Sequence, residues 1–169
     1  MKILKLFKAK DIITIVSALA GFFAILFLIN QNFWLAAIFL IISALLDYLD
    51  GKVARKVGPT KYGHYLDLAD LSSFGVAPAL FIIMWLKPVF DLFGIIIYIA
   101  AISLFIAGLL RLARFFTLGD EHYSIGVPIT VNGIIFPLLW LFSAAAWEVT
   151  IAAFVMSYFM ISTVRLKKH

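Results

Sequence analysis

The sequence contains no cysteine. Disulfides, thiolate metal sites and cysteine nucleophiles are therefore excluded. Charge is scarce, at 14% of the 169 residues, while 64% are hydrophobic and the mean hydropathy is +1.09. Soluble domains are nearer half apolar. There is no internal repeat, no low-complexity tract and no linker, so the reading is one domain over residues 1–169. No small-residue cleavage site follows the basic start "MKILKLFKAKD", and the apolar run after it is long. It reads as a first membrane helix rather than a cleaved signal.

What is present is a series of apolar runs. A spanning helix needs about 20 apolar residues. Six segments qualify, at roughly 12–30, 33–51, 66–86, 92–112, 127–147 and 149–164. Turn signals separate most of them: "NQN" at 30–32, "VGPT" at 57–60, "KPVFD" at 87–91 and "LGDEHYS" at 118–124. The last break is marked mainly by Glu148, and Pro128 and Pro137 predict a kink in the fifth segment. The expected fold class is an all-α integral membrane bundle of six helices with both termini cytoplasmic. Charge agrees with that orientation. Of 14 Lys and Arg, only Lys87 falls on the outer side, and the other thirteen lie at or near the cytoplasmic side. The net charge of +5 is thus a membrane-topology signal, made of anchors for anionic lipid heads, and not one for nucleic acid.

Against this background four aspartates stand out: Asp47, Asp50, Asp67 and Asp70. Asp47 and Asp50 are spaced i, i+3 and share a helix face, and Asp67 and Asp70 repeat that spacing at the start of the next helix. Gly51 and Ala54 leave room beside the first pair. A short basic loop joins the two helices, so the pairs can meet. One aspartate at a helix end is adequately explained by a nearby Lys or Arg. Four together are not, because a carboxylate costs about 2.5–3.5 kcal/mol at a helix centre on insertion scales and like charges repel. A divalent cation answers both problems. Oxygen-only donors suit Mg²⁺ or Mn²⁺ rather than Zn²⁺, and with an arginine nearby they point to phosphate chemistry. His64 and His122 lie in loops with no nucleophile to pair with. The 17 Phe and 4 Trp read as packing, lipid-facing or interfacial residues.

The run "DYLDGKVAR" and the residues after it resemble the signature of the CDP-alcohol phosphotransferase family, D-x-x-D-G-x-x-A-R-(x)8-G-x-x-x-D-x-x-x-D. Asp47, Asp50, Gly51, Ala54, Arg55, Gly63 and Asp67 match it in order. Further stretches resemble the bacterial and archaeal phosphatidylserine synthases of that family: "LADLSSFGVAPAL" at 68–80, "GLLRLARFF" at 108–116, "IGVPITVNG" at 125–133 and "SYFMIS" near the C-terminus. Two spacings depart from the pattern. Seven residues separate Arg55 from Gly63, and two separate Asp67 from Asp70, each one fewer than in the family. A lost residue turns a helix by about 100°; Asp67 and Asp70 still share a face, since i+3 and i+4 both neighbour i, and a small local rewinding would be enough to restore the family geometry. The first helix also reads "KDIITIVSALAG" where relatives often begin with Pro-Asn.

The resemblance implies transfer of a phosphatidyl or archaetidyl group from a CDP-linked lipid (CDP-diacylglycerol or CDP-archaeol) to an alcohol, with release of CMP. It implies one or two Mg²⁺ or Mn²⁺ ions on Asp47, Asp50, Asp67 and Asp70. Asp50, Gly51, Ala54, Arg55 and Gly63 would meet the nucleotide and its phosphates, and Asp70 would be the general base. If the acceptor is L-serine, its carboxylate needs a cation, and Arg111 and Arg114 are candidates; plain interfacial anchoring explains them equally. The implied setting is the cytoplasmic membrane, with the site facing the cytoplasm and the protein a homodimer. Three other readings stay open: a sibling enzyme using glycerol phosphate or inositol phosphate, which would want extra cations at the site; a metal-ion transporter, which would want acids along a path across the bilayer; and a catalytically inactive membrane protein.

Overall fold

The computed structural model describes residues 9–57, 66, 68–118, 123–163 and 165–167. The first helix, α1, spans Ala9–Ile29, and α2 spans Phe33–Val57. A π-helix over Leu71–Val76 runs directly into α3, Ala77–Leu86. Next come α4 (Leu92–Leu118), strand β1 (Tyr123–Ile125), a 3₁₀ turn (Ile129–Val131), α5 (Asn132–Leu141), α6 (Ala146–Ile161) and strand β2 (Arg165–Lys167).

The expected turns at 30–32 and 87–91 are present, and their chemistry is visible. Gln31 and Lys87 adopt left-handed backbone conformations, with φ of 56° and 44°, which end α1 and α3. Asn32 Oδ1 accepts from Leu35 N at 3.2 Å and starts α2. Asp91 Oδ1 does the same for α4, accepting from Gly94 N at 2.6 Å. Three features differ from the sequence reading. The break before the last helix falls at 142–145, and Glu148 lies inside α6, where its Oε2 accepts from Ala145 N at 2.8 Å. Glu148 therefore caps the helix that it seemed to interrupt. Pro128 precedes the 3₁₀ turn instead of bending a helix, while Pro137 does lie within α5. β1 and β2 form a short antiparallel ribbon, pairing Tyr123 with Lys167 and Ile125 with Arg165. An all-helical expectation did not foresee this pairing of two segments distant in sequence.

α1 and α2 pack along each other, α4 packs on α6, and α2 meets α5. The π-helix is the hub, touching α1, α2, α3, α4, α5 and the 3₁₀ turn. Close approach there depends on small residues. A Cβ on Gly21 of α1 would collide with Ser73, and one on Gly108 of α4 would lie 2.6 Å from Ile129 Cδ1. Ser17 and Ser43 lock α1 to α2 reciprocally, each hydroxyl donating to the other's carbonyl at 2.9 Å. The π winding has its own supports. Ala77 N donates to Ser72 O, the i to i+5 bond of this helix type. Ser72 Oγ donates to Ala69 O at 2.6 Å, and buried Asn132 donates from Nδ2 to Phe74 O at 3.1 Å. The serines of "LADLSSFG" thus serve a rewound helix beginning just after Asp70.

α1, α2 and α4 contain apolar spans of 20, 21 and 24 residues, long enough to cross a membrane. Three further apolar stretches, Leu71–Leu86, Ile129–Leu141 and Ala146–Ile161, are shorter. Only 33%, 33% and 39% of the three long spans is buried inside the protein. Their outer faces carry exposed Ile12, Leu19, Phe22, Ile38, Leu45, Ile99 and Ile106. In water such surface would far exceed the patches that soluble monomers tolerate; against lipid it costs nothing. The chain is a membrane-embedded helical protein. Trp34, Trp85 and Trp140 gather near the N-terminal end of α2, with Trp34 and Trp140 ring centroids 4.9 Å apart. Along α2 that is about 20 Å from Asp47 at 1.5 Å per residue, so the aromatic cluster and the acids mark opposite ends of the bundle.

Candidate active site

The site is built on the C-terminal part of α2. Helical spacing puts Asp47 and Asp50 on one side of α2, and each carboxylate is met by a hydroxyl from another element. Thr14 Oγ1 of α1 donates to Asp50 Oδ2 at 2.5 Å. Thr130 Oγ1 of the 3₁₀ turn donates to Asp47 Oδ2 at 2.7 Å. Asp70, at the N-terminus of the π-helix, comes within hydrogen-bonding reach of Asp47. Arg111 of α4 interacts electrostatically with Asp47 and Asp70, and Lys10 of α1 with Asp47 and Asp50. Asp11, fully buried in the first turn of α1, adds another carboxyl near Asp50.

Together these groups line a cavity of about 270 Å³, walled by Lys10, Asp47, Asp50, Gly51, Asp70, Arg111, Leu112, Phe115, Pro128, Ile129 and Thr130. Beside it lies a mostly apolar groove of about 570 Å³, lined by Ala44, Leu45, Tyr48, Val131 and Ile134. Asp47, Gly51, Phe115, Pro128 and Thr130 belong to both. A polar chamber and an oily channel therefore share one wall.

Among the described residues, two buried atoms of the chamber's side chains have no hydrogen-bond partner, Asp50 Oδ1 and Arg111 Nε. Asp50 is 4% exposed, so the orphan oxygen lies away from bulk solvent. A carboxylate oxygen left bare in a protein interior is costly unless something cationic meets it. Among the described residues, no three His, Cys, Asp or Glu side chains are drawn close enough to hold an ion. The donor chemistry nevertheless fits a hard divalent cation: carboxylate oxygens from two helices, one with a free buried lone pair, and no soft ligand.

Of the residues singled out from sequence, Asp47, Asp50, Gly51, Asp70 and Arg111 come together on the cavity wall. Arg114 does not join them; its Nη1 donates to Ser162 O at 3.2 Å, tying α4 to the end of α6. The side chains of Ala54 and Arg55, together with Gly63 and Asp67, lie outside the described residues. Sequence reasoning missed Thr14 and Thr130, and it took Lys10 only as a basic anchor. Thr14 carried a weak signal, as a polar residue one turn after Lys10 at the entry to an apolar run. Thr130 carried none, because it reaches Asp47 across 83 positions of chain.

The comparisons with known proteins bear on this arrangement. The model of the CDP-alcohol phosphatidyltransferase family matches residues 8–164. The chain belongs to that family. As a CDP-alcohol phosphatidyltransferase it is a transferase, and its match runs from the start of α1 to the end of α6. It is 33% identical to archaetidylserine synthase of Methanothermobacter thermautotrophicus, over 96% of this chain and 71% of that one. It is 32% identical to a CDP-diacylglycerol–serine O-phosphatidyltransferase of Bacillus subtilis, over 93% and 90%. A protein of the same description from Helicobacter pylori is 33% identical over 80% of this chain and spans further, 58% of its own length being matched.

Proposed function

We propose that this transferase moves a phosphatidyl or archaetidyl group from a CDP-linked lipid to L-serine and releases CMP. The observation that carries the reading is the polar cavity, with its orphan carboxylate oxygen, lying beside an apolar groove with which it shares one wall. A CDP-linked lipid has both characters, a charged pyrophosphate and nucleotide at one end and chains at the other. The relatives named for serine transfer support the acceptor.

In this reading Asp47, Asp50, Asp67 and Asp70 hold one or two Mg²⁺ or Mn²⁺ ions, which supply charge stabilisation at the phosphates when bound. Gly51 leaves the α2 backbone open to the nucleotide, and Arg55 with its forked donors holds a phosphate. Arg111, on the cavity wall, receives the serine carboxylate. The serine hydroxyl oxygen bonds to the phosphorus that carries the lipid, the bond from that phosphorus to the CMP oxygen breaks, and Asp70 takes the hydroxyl proton. The whole chain acts as one catalytic domain of six crossings in the cell membrane. Its termini and site face the cytoplasm, which the placement of thirteen basic residues supports. We read the active form as a homodimer.

One observation favours a second acceptor class. Lys10 adds a cation to the chamber, as a sugar-phosphate or glycerol phosphate acceptor would want. An acceptor screen decides between them: CMP release from CDP-diacylglycerol or CDP-archaeol with Mn²⁺ and serine, glycerol 3-phosphate, inositol or inositol phosphate. Serine-dependent release that disappears in Asp70→Asn is the expected result. Release only with a phosphorylated alcohol would move the specificity, and no release with any of them would sink the enzymatic reading.

A further inference from the structure

Two threonines stand apart from the others in the bundle. A threonine in an apolar helix commonly bonds back to its own helix. Thr117 donates to Ala113 O at 3.0 Å, and Thr150 to Ala146 O at 2.7 Å. Thr14 has the same option in Lys10 O at 3.2 Å, but it lies at 2.5 Å from Asp50 Oδ2. A hydroxyl has one proton, and the charged acceptor makes roughly twice the bond. Thr130 reaches away from its own turn to Asp47 Oδ2. Each aspartate of the α2 pair is thus held by a hydroxyl from a different element, through one oxygen. For Asp50 the other oxygen is the buried one with no partner among the described residues.

We propose that Thr14 and Thr130 are positioning residues for the divalent-cation site. By taking Oδ2 of Asp50 and of Asp47, they fix the two carboxylates, and at Asp50 they leave Oδ1 as the cation-facing oxygen. The proposal rests on the metal reading above. The β-branched side chain suits the role, since it restricts χ1 and so aims the hydroxyl. Removing an outer partner of a metal ligand typically weakens metal binding by about 10–100-fold.

The test is Mn²⁺ binding to the full chain in detergent micelles without lipid substrate, followed by the paramagnetic resonance of the free ion. Thr14→Val and Thr130→Val keep the shape and remove the hydroxyl; each should raise the Mn²⁺ Kd by about 10–100-fold. Thr14→Ser and Thr130→Ser should restore most of the affinity. In turnover, the Mn²⁺ concentration for half-maximal CMP release should rise in the valine variants and return towards the wild-type value in the serine variants, a pattern that general destabilisation would not produce. If a valine variant fails to fold, cysteine serves in its place, because its S–H is only a weak donor; it should bind Mn²⁺ more weakly than serine at the same position. Wild-type affinity in the valine variants, or equal affinity of the cysteine and serine variants, overturns the proposal and leaves the metal site standing. Absence of Mn²⁺ binding in the wild type overturns both.

Discussion

Replacing Gly51 by alanine should separate stability from catalysis. Gly51 lies within α2, on the wall shared by the polar cavity and the apolar groove, and a Cβ there meets no described atom within 4 Å. No described side chain opposes the methyl group. Glycine inside a helix costs roughly 0.5–1 kcal/mol relative to alanine, so Gly51→Ala should be neutral or stabilising by that amount. At about 2–4 °C per kcal/mol for chains of this size, the melting midpoint should rise by up to about 4 °C. The open space is the site itself. If the nucleotide end of the donor lies against this backbone, the added methyl pushes it off by about an ångström, and a misplacement of that size can cost about 10²-fold. The assay pairs CMP release over a range of CDP-lipid concentrations with a thermal melt of the same preparation. A fall in kcat/KM of about two orders of magnitude with an unchanged or higher midpoint is expected. Unchanged kcat/KM would refute the claim that substrate approaches this face of α2. A lower midpoint would refute the claim that the face is empty in the folded protein.

Gly133→Ala should behave in the opposite way. A Cβ there would lie 2.8 Å from Phe74 Cδ1, and Phe74 is fully buried in the π-helix hub, so overpacking should cost about 1–3 kcal/mol and lower the melting midpoint. The two arginines of "RLARFF" should also separate. Arg111→Gln should raise the KM for the acceptor at least about tenfold, or about 1.4 kcal/mol, because Arg111 faces the cavity. Arg114→Gln should leave that KM nearly unchanged and loosen the α4–α6 junction, which a lower melting midpoint would register, since it loses its bond to Ser162 O; equal effects on acceptor KM would remove the distinction between them.

The acid pair on α2 was legible because helical periodicity is local. Asp47, Asp50 and Gly51 lie within five consecutive positions, and the spacing alone puts the two carboxylates on one side of the helix. The turns at Gln31 and Lys87 were legible for a similar reason, since asparagine, aspartate and proline punctuate the chain where it must leave the helix. Glu148 misled because an acidic residue in an apolar run resembles a break, whereas in the first turn of α6 it satisfies a helix N-terminus. The spacing between Asp67 and Asp70 is not followed in the fold, because Asp67 lies outside the described residues. The π-helix over Leu71–Val76 begins immediately after Asp70, with Asn132 on its Phe74 carbonyl, and no spacing rule connects Asn132 to Phe74.

The sequence by itself determined the solvent and pointed to the chemistry. An apolar composition with basic residues near the ends of its runs belongs in a bilayer, and carboxylates kept there raise the question of a cation. Those conclusions depend on transfer energies and on spacings of a few residues, which a linear string carries in full. Only the tertiary structure decided which groups share the chamber. Arg111 and Arg114 are one helical turn apart, yet one faces the acids and the other the end of α6. Thr14 and Thr130 reach the two aspartates from separate elements, and one oxygen of Asp50 has no partner among the described residues. Which side chains meet across packed helices depends on the rotation and depth at which the helices settle, and small residues such as Gly21, Gly108 and Gly133 set that through contacts far apart in the chain.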